Sequence, residues 1–168
     1  MKAKSVFPEV LILGIGNELL TDDAIGPFLI HELEEYFKSN PQIKFETACC
    51  GGLQILETIV GYKKVILIDA IKSKNGKLGE VLLLSPEDFE ETSNLSSLHD
   101  LSFLDALKLG KHLDFKMPQE IKIIAIQIFE DRMIHDQFSN ELKSVYPEVL
   151  MKVKDFLTDI LVENYKVS

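Results

Sequence analysis

The chain has 168 residues and a mass of 19.0 kDa, a length that suits one globular domain spanning 1–168. Its 18 basic side chains against 27 acidic ones give a formal charge of −9, which excludes a polyanion-binding surface built from bulk charge. That charge, with no apolar run near the roughly 18 residues of a membrane span, makes no nucleic acid and no membrane the expectation for partners, while hydrophobic residues at 46% and charged residues at 27% exclude disorder.

Lys2 and Lys4 precede an apolar stretch but no small-residue cleavage site follows, so Val10 to Gly14 reads as a first strand buried on both faces. A loop with Gly14 and Gly16 leads to a helix from about Asp22 to Lys38, with Ile25, Phe28, Leu29, Leu33 and Phe37 on one stripe and Thr21 or Asp22 as its N-cap. Ile43 to Thr47 is the second strand, ending at Cys49-Cys50-Gly51-Gly52, and Leu53 to Val60 a short helix. Lys64 to Asp69 is the third strand, another continuous apolar run. Glu80 to Leu84 is the fourth, and a polar loop fills Ser85 to Ser97. Ser97 then opens a helix that Gly110 stops, Gln119 to Phe129 is the fifth strand, and a last helix runs from Tyr146 or Pro147 to Asn164. This alternation predicts an α/β fold: a three-layer α/β/α arrangement around a mostly parallel, twisted, five-stranded sheet with helices on both faces.

In such sheets ligands bind beyond the carboxyl ends of the strands where the winding reverses, which points to the loops after the first and third strands. A dinucleotide site is the first reading of Gly14-x-Gly16. It lacks the third glycine, where Leu19 stands, and Glu18, Asp22 and Asp23 lie where a pyrophosphate needs positive potential. A carboxylate site uses more of the residues present. Asp69 ends an apolar strand, and Asp22 and Asp23 open a helix, where capping acids are also at home. His99, in the first turn of its helix, is favoured as a neutral ligand, whereas His31, His112 and His135 read as surface residues. Asp23, Asp69 and His99 together form an O,O,N set with open positions for water or substrate. Cys49 and Cys50, the only cysteines, suit a reducing cytoplasm and read as small packed residues.

The segment from Gly14 to Gly26, with Ile68-Asp69-Ala70 and Ser97-Leu98-His99-Asp100-Leu101, resembles the hydrogenase maturation endopeptidase family. The resemblance extends over essentially the whole chain. It implies a cytoplasmic protease that removes the C-terminal extension from the nickel-loaded large-subunit precursor of a nickel-iron hydrogenase. It further implies nickel supplied by the substrate and not kept as a permanent cofactor. The ligands it implies are Asp23, Asp69 and His99, with Asp23 and Asp69 as the catalytic carboxylates; a monomer is the separate expectation for the protein's state. Cys49 and Cys50 stand where the family often has an Asp-Gly-Gly-Thr type turn, and no glutamate-proline pair follows Ile128-Phe129. A Rossmann-like nucleotide-binding module and a non-catalytic nickel- or precursor-binding chaperone are the alternatives from other functional classes.

Overall fold

Five segments pair into one sheet: β1 (Val10–Ile15), β2 (Ile43–Ala48), β3 (Lys64–Ile71), β4 (Val81–Leu84) and β5 (Glu120–Gln127). Their order across it is β2-β1-β3-β5-β4, with every pairing parallel except β4 against β5. The structure is a computed structural model that describes residues 8–49, 53–91 and 100–163. Its helices are α1 (Ile25–Tyr36), α2 (Leu53–Ile59), α3 (Pro86–Glu91), α4 (Asp100–His112) and α5 (Asn140–Glu163), with a 3-10 turn at Thr21–Ala24 running directly into α1.

The unbroken apolar runs of β1 and β3 are explained by two cores, one on each face of the sheet. Ile12, Ile66, Ile68, Ile124 and Ile126 face α1 and α5, while Leu11, Leu13, Val65, Leu67 and Ile123 face α2 and α4. Alternate residues of each strand therefore go to opposite layers, as the pleat requires, and both sets must be apolar. Full burial of one such leucine or isoleucine contributes roughly 1.5–3 kcal/mol relative to exposure. The three-layer α/β/α expectation and the mostly parallel sheet are both met.

Several local expectations differ. Thr21 and Asp22 do not cap α1: its N-cap is Ala24, with no side-chain bond, because the 3-10 turn leaves no break for a cap to fill. Pro27 is the third residue of α1, where its missing N–H is one the helix could not use. α4 does not stop at Gly110. It ends in a Schellman arrangement, with Asp114 at φ 54° and the Phe115 N–H donating to the Gly110 carbonyl at 3.0 Å. Gly110 instead makes room for a neighbour, since a Cβ there would stand 2.6 Å from Leu56 Cδ1 and from Met117 Sδ.

α5 begins at Asn140, well before Pro147, which lies inside the helix. The apolar stripe of Val149, Val153 and Leu157 continues back through Val145 to the buried Leu142, and the Ser139 hydroxyl accepts the Leu142 N–H at 3.1 Å. A side-chain cap and a buried face together outweigh the stop signal of one proline. The expected loop from Ser85 contains α3, which starts with a reciprocal cap: Ser85 N–H to Asp88 Oδ2 at 2.7 Å and Asp88 N–H to Ser85 Oγ at 3.2 Å. The bonds it accepts from Ser85, backbone first, hold the Asp88 carboxyl below the usual aspartate range. No helix among the described residues is long and apolar enough to cross a membrane.

Candidate active site

β1 pairs with β2 on one side and β3 on the other, so the chain reverses its winding direction between β1 and β3. Gly14 is the last residue of β1 paired with β3, opposite Ile68. Asp69 follows at once, past the end of that pairing but still paired with Ala125 of β5. β3 runs two residues further than its apolar run suggests, because β5 continues alongside it to Gln127. Asp69 is 5% exposed, and its Oδ1 accepts the N–H of Ala70 at 2.8 Å.

After β1 the chain turns back over the sheet, and glycines make that possible. A Cβ on Gly14 would lie 2.5 Å from Ile30 Cγ1, and one on Gly26 would lie 2.3 Å from the Ile15 carbonyl oxygen and 2.6 Å from that of Ile68. The start of α1 therefore sits directly on the ends of β1 and β3. The glycines that suggested a dinucleotide fingerprint have a packing reason of their own.

Asp23, 6% exposed, lies in the 3-10 turn, which packs against β3. Its Oδ2 accepts the Asn17 N–H at 2.8 Å, while Asn17 Oδ1 accepts the N–H of Leu19 at 3.0 Å. Asn17 thus shapes its own loop with the side chain and orients Asp23 with the backbone. Asp23 and Asp69 come to the same end of the sheet. His99 lies outside the described residues, as do Ser97 and Cys50. Among the described residues, no three His, Cys, Asp or Glu side chains group as a metal site requires.

Asp22 points the other way. It is 1% exposed and accepts two hydrogen bonds from Ser139, the backbone N–H to Oδ1 at 2.7 Å and the hydroxyl to Oδ2 at 2.8 Å. The sequence held a signal for Ser139, a cap-forming residue three positions before Leu142 and its stripe, but nothing to join it to Asp22. The same connection between β5 and α5 is tied on at three further points. Thr21 Oγ1 donates to the Met133 carbonyl at 2.5 Å, the His135 N–H to that of Leu19 at 3.1 Å, and Leu20 bridges to Ile134. Glu130 accepts the N–H groups of Arg132 and Met133, bonds that hold its carboxyl below the usual glutamate range.

The loop after β3 is tied to the end of β5. Gln127, buried at the end of β5, accepts the Ser73 N–H at 3.0 Å and the Ser73 hydroxyl at 2.8 Å, and donates to the Ile128 carbonyl at 2.9 Å. Lys72 reaches Asp131 at 2.9 Å, linking the two loops.

A cavity of about 290 Å³ lies beside the first loop, lined by Gly16, Asn17, Leu19, Pro27, Thr47 and Cys49 among others. Cys49, which follows the end of the edge strand β2, is exposed and not packed as expected. His31, His112 and His135 are exposed, as a surface role requires.

Two buried carboxylates at one end of a parallel sheet can hold a cation or activate water, and their burial strengthens either interaction. Comparison with known proteins gives this arrangement a context. The family described as "Hydrogenase maturation protease" matches residues 27–155, which include Asp69 and follow the segment from Gly14 to Gly26. The hydrogenase 2 maturation protease of Escherichia coli strain K12 is 27% identical over 118 residues, 70% of this chain and 71% of that protein. The maturation protease HybD of Thermococcus kodakarensis superposes with a TM-score of 0.66 at 27% identity, covering 88% of this chain and 98% of that one. The maturating endopeptidase HybD of Escherichia coli shares the fold, with a TM-score of 0.70 at 22% identity over 90% of this chain and 93% of that one.

Proposed function

Since the chain belongs to the hydrogenase maturation protease family, and is therefore a peptidase, we propose that it removes the C-terminal extension of a nickel-iron hydrogenase large-subunit precursor already loaded with nickel. In this reading Asp23, Asp69 and His99 take the precursor's nickel, which is part of the substrate. Two carboxylates and one imidazole leave coordination positions open, as recognition of a metal held by another protein demands.

The observation that carries the reading is the burial of Asp23 and Asp69 at the end of the sheet where β1 and β3 part. Buried carboxylate oxygens at the carboxyl ends of parallel strands are the hard donors that a divalent cation takes, and an incoming metal is met there by two of them. Asp23 is the general base of choice. Asn17 fixes its direction, and it stands on the turn before α1, whereas Asp69 lies within the paired length of β3. Water activated by Asp23 attacks a scissile carbonyl that the nickel polarises. The protein works as a monomer in the cytoplasm, on a protein partner, without nucleic acid or membrane.

Co-expression with the nickel-loaded precursor tests this reading through the C-terminal mass of the processed large subunit. Loss of the extension supports it. A tail unchanged with every hydrogenase precursor of the source organism refutes it.

A further inference from the structure

Asp22 and Asp23 are adjacent and both buried, yet they serve different partners. Asp23 is held from the sheet side, by Asn17 and by the contact of its carbonyl with Gly16. Both oxygens of Asp22 are taken by Ser139, whose hydroxyl passes the connection on to the Leu142 N–H in the first turn of α5. α5 is the longest helix, 24 residues, and is anchored by the fully buried Val149, Val153 and Leu157. A carboxylate at the start of a helix is also where the macrodipole favours negative charge. Asp22 therefore ties a four-residue turn to the stiffest available body, while Thr21 ties the same turn to Met133.

We infer that Asp22 is a positioning residue, which fixes the aim of the Asp23 carboxylate by locking the Thr21–Ala24 turn to the N-cap of α5. The inference rests on the reading of Asp23 as a working carboxylate. Without Asp22 the part-buried Ser139 N–H loses its acceptor, and the turn loses its tie to α5 while keeping the Thr21 bond to Met133 and the contact with Gly16. The hydrogen bond from the Asn17 N–H then lengthens. Misplacement of a reacting group by a fraction of its length is enough to lower the rate steeply while leaving docking intact.

The test measures processing of nickel-loaded precursor, below the unfolding range of each variant, together with the Asn17 amide resonance of the isolated protein. Asp22→Ala is expected to lower kcat by about tenfold or more with KM within about twofold, and to move the Asn17 amide. Asp22→Asn, whose side-chain oxygen still accepts the Ser139 N–H, is expected to return kcat to within about threefold and to restore the amide. If Asp22→Ala does not fold, Ser139→Ala carries the test, with a smaller fall in kcat and the same amide displaced. A wild-type kcat and an unmoved Asn17 amide in Asp22→Ala overturn the inference. So does a rise in KM alone, which assigns Asp22 to docking, or equal inactivity of the Ala and Asn variants, which assigns the work to its charge. Failure of the wild-type protein to process any precursor refutes the proposed function instead, and the amide comparison still decides whether Asp22 aims Asp23.

Discussion

Gly16 and Asp23 touch through their backbones: a Cβ on Gly16 would stand 2.0 Å from the Asp23 carbonyl oxygen, and Gly16 has a φ of 149°. The turn that carries Asp23 can lie on the end of β1 only because position 16 has no side chain. Gly16→Ala adds a clash with rigid backbone to an unfavourable φ, and is expected to destabilise by more than about 3 kcal/mol. Gly61, at φ 95° with open space where its Cβ would stand, is the control: Gly61→Ala meets strain alone, about 1–2 kcal/mol. Urea unfolding of the two variants checks the contrast, and equal losses contradict it.

Ser139→Ala removes the cap of α5 and one of the two bonds that Asp22 accepts. The expected loss is about 2 kcal/mol, combining a cap with a partly unsatisfied buried carboxylate. A double-mutant cycle with Asp22→Ala checks the source, since the two losses should fall clearly short of additivity. Strict additivity separates the two residues energetically.

Pro147 is interior to α5, where it cannot donate to the Lys143 carbonyl. Pro147→Ala restores that donor and is expected to stabilise by about 1 kcal/mol, less than the full interior cost of a proline because the helix has already adjusted around it. Thermal unfolding reports the gain, and a lower melting temperature contradicts it.

The Tyr146 hydroxyl donates to Glu32 Oε1 at 2.8 Å, linking α5 to α1. Burial first, then this bond and the Glu32 charge, push the phenol well above the usual tyrosine value. A folded-state pKa raised above the unfolded one means the contribution is complete below the unfolded value of about 10 and is lost as pH rises towards the folded one. The stability advantage of wild type over Tyr146→Phe should therefore be constant in urea near neutral pH and shrink above about pH 10. An advantage that holds steady through that range contradicts the assignment.

The sheet and its switch point were legible in the sequence for a simple reason. β1 and β3 are covered on both faces, so their apolar runs stand out, and the acids following them fall where the topology puts a site. Element ends were harder to read. Pro147 marks a helix start only if nothing upstream competes, and Ser139 with Leu142 does compete. Gly110 resembles a helix stop until Leu56 and Met117 are seen against it. The partner of Asp22 was illegible because Ser139 is 117 positions away, and no local pattern encodes such a pairing. Asn17 was visible within its motif, but its use of a backbone N–H to aim Asp23 involves no side-chain preference that a sequence could display.

The most direct test of the central claim is mass spectrometry of the hydrogenase precursor's C-terminus, after incubation of nickel-loaded and nickel-free precursor with the purified protein and with its Asp23→Asn variant. The account predicts that the extension is lost only where nickel-loaded precursor meets the wild-type protein. Removal of the extension from nickel-free precursor, or at the wild-type rate by Asp23→Asn, would contradict it.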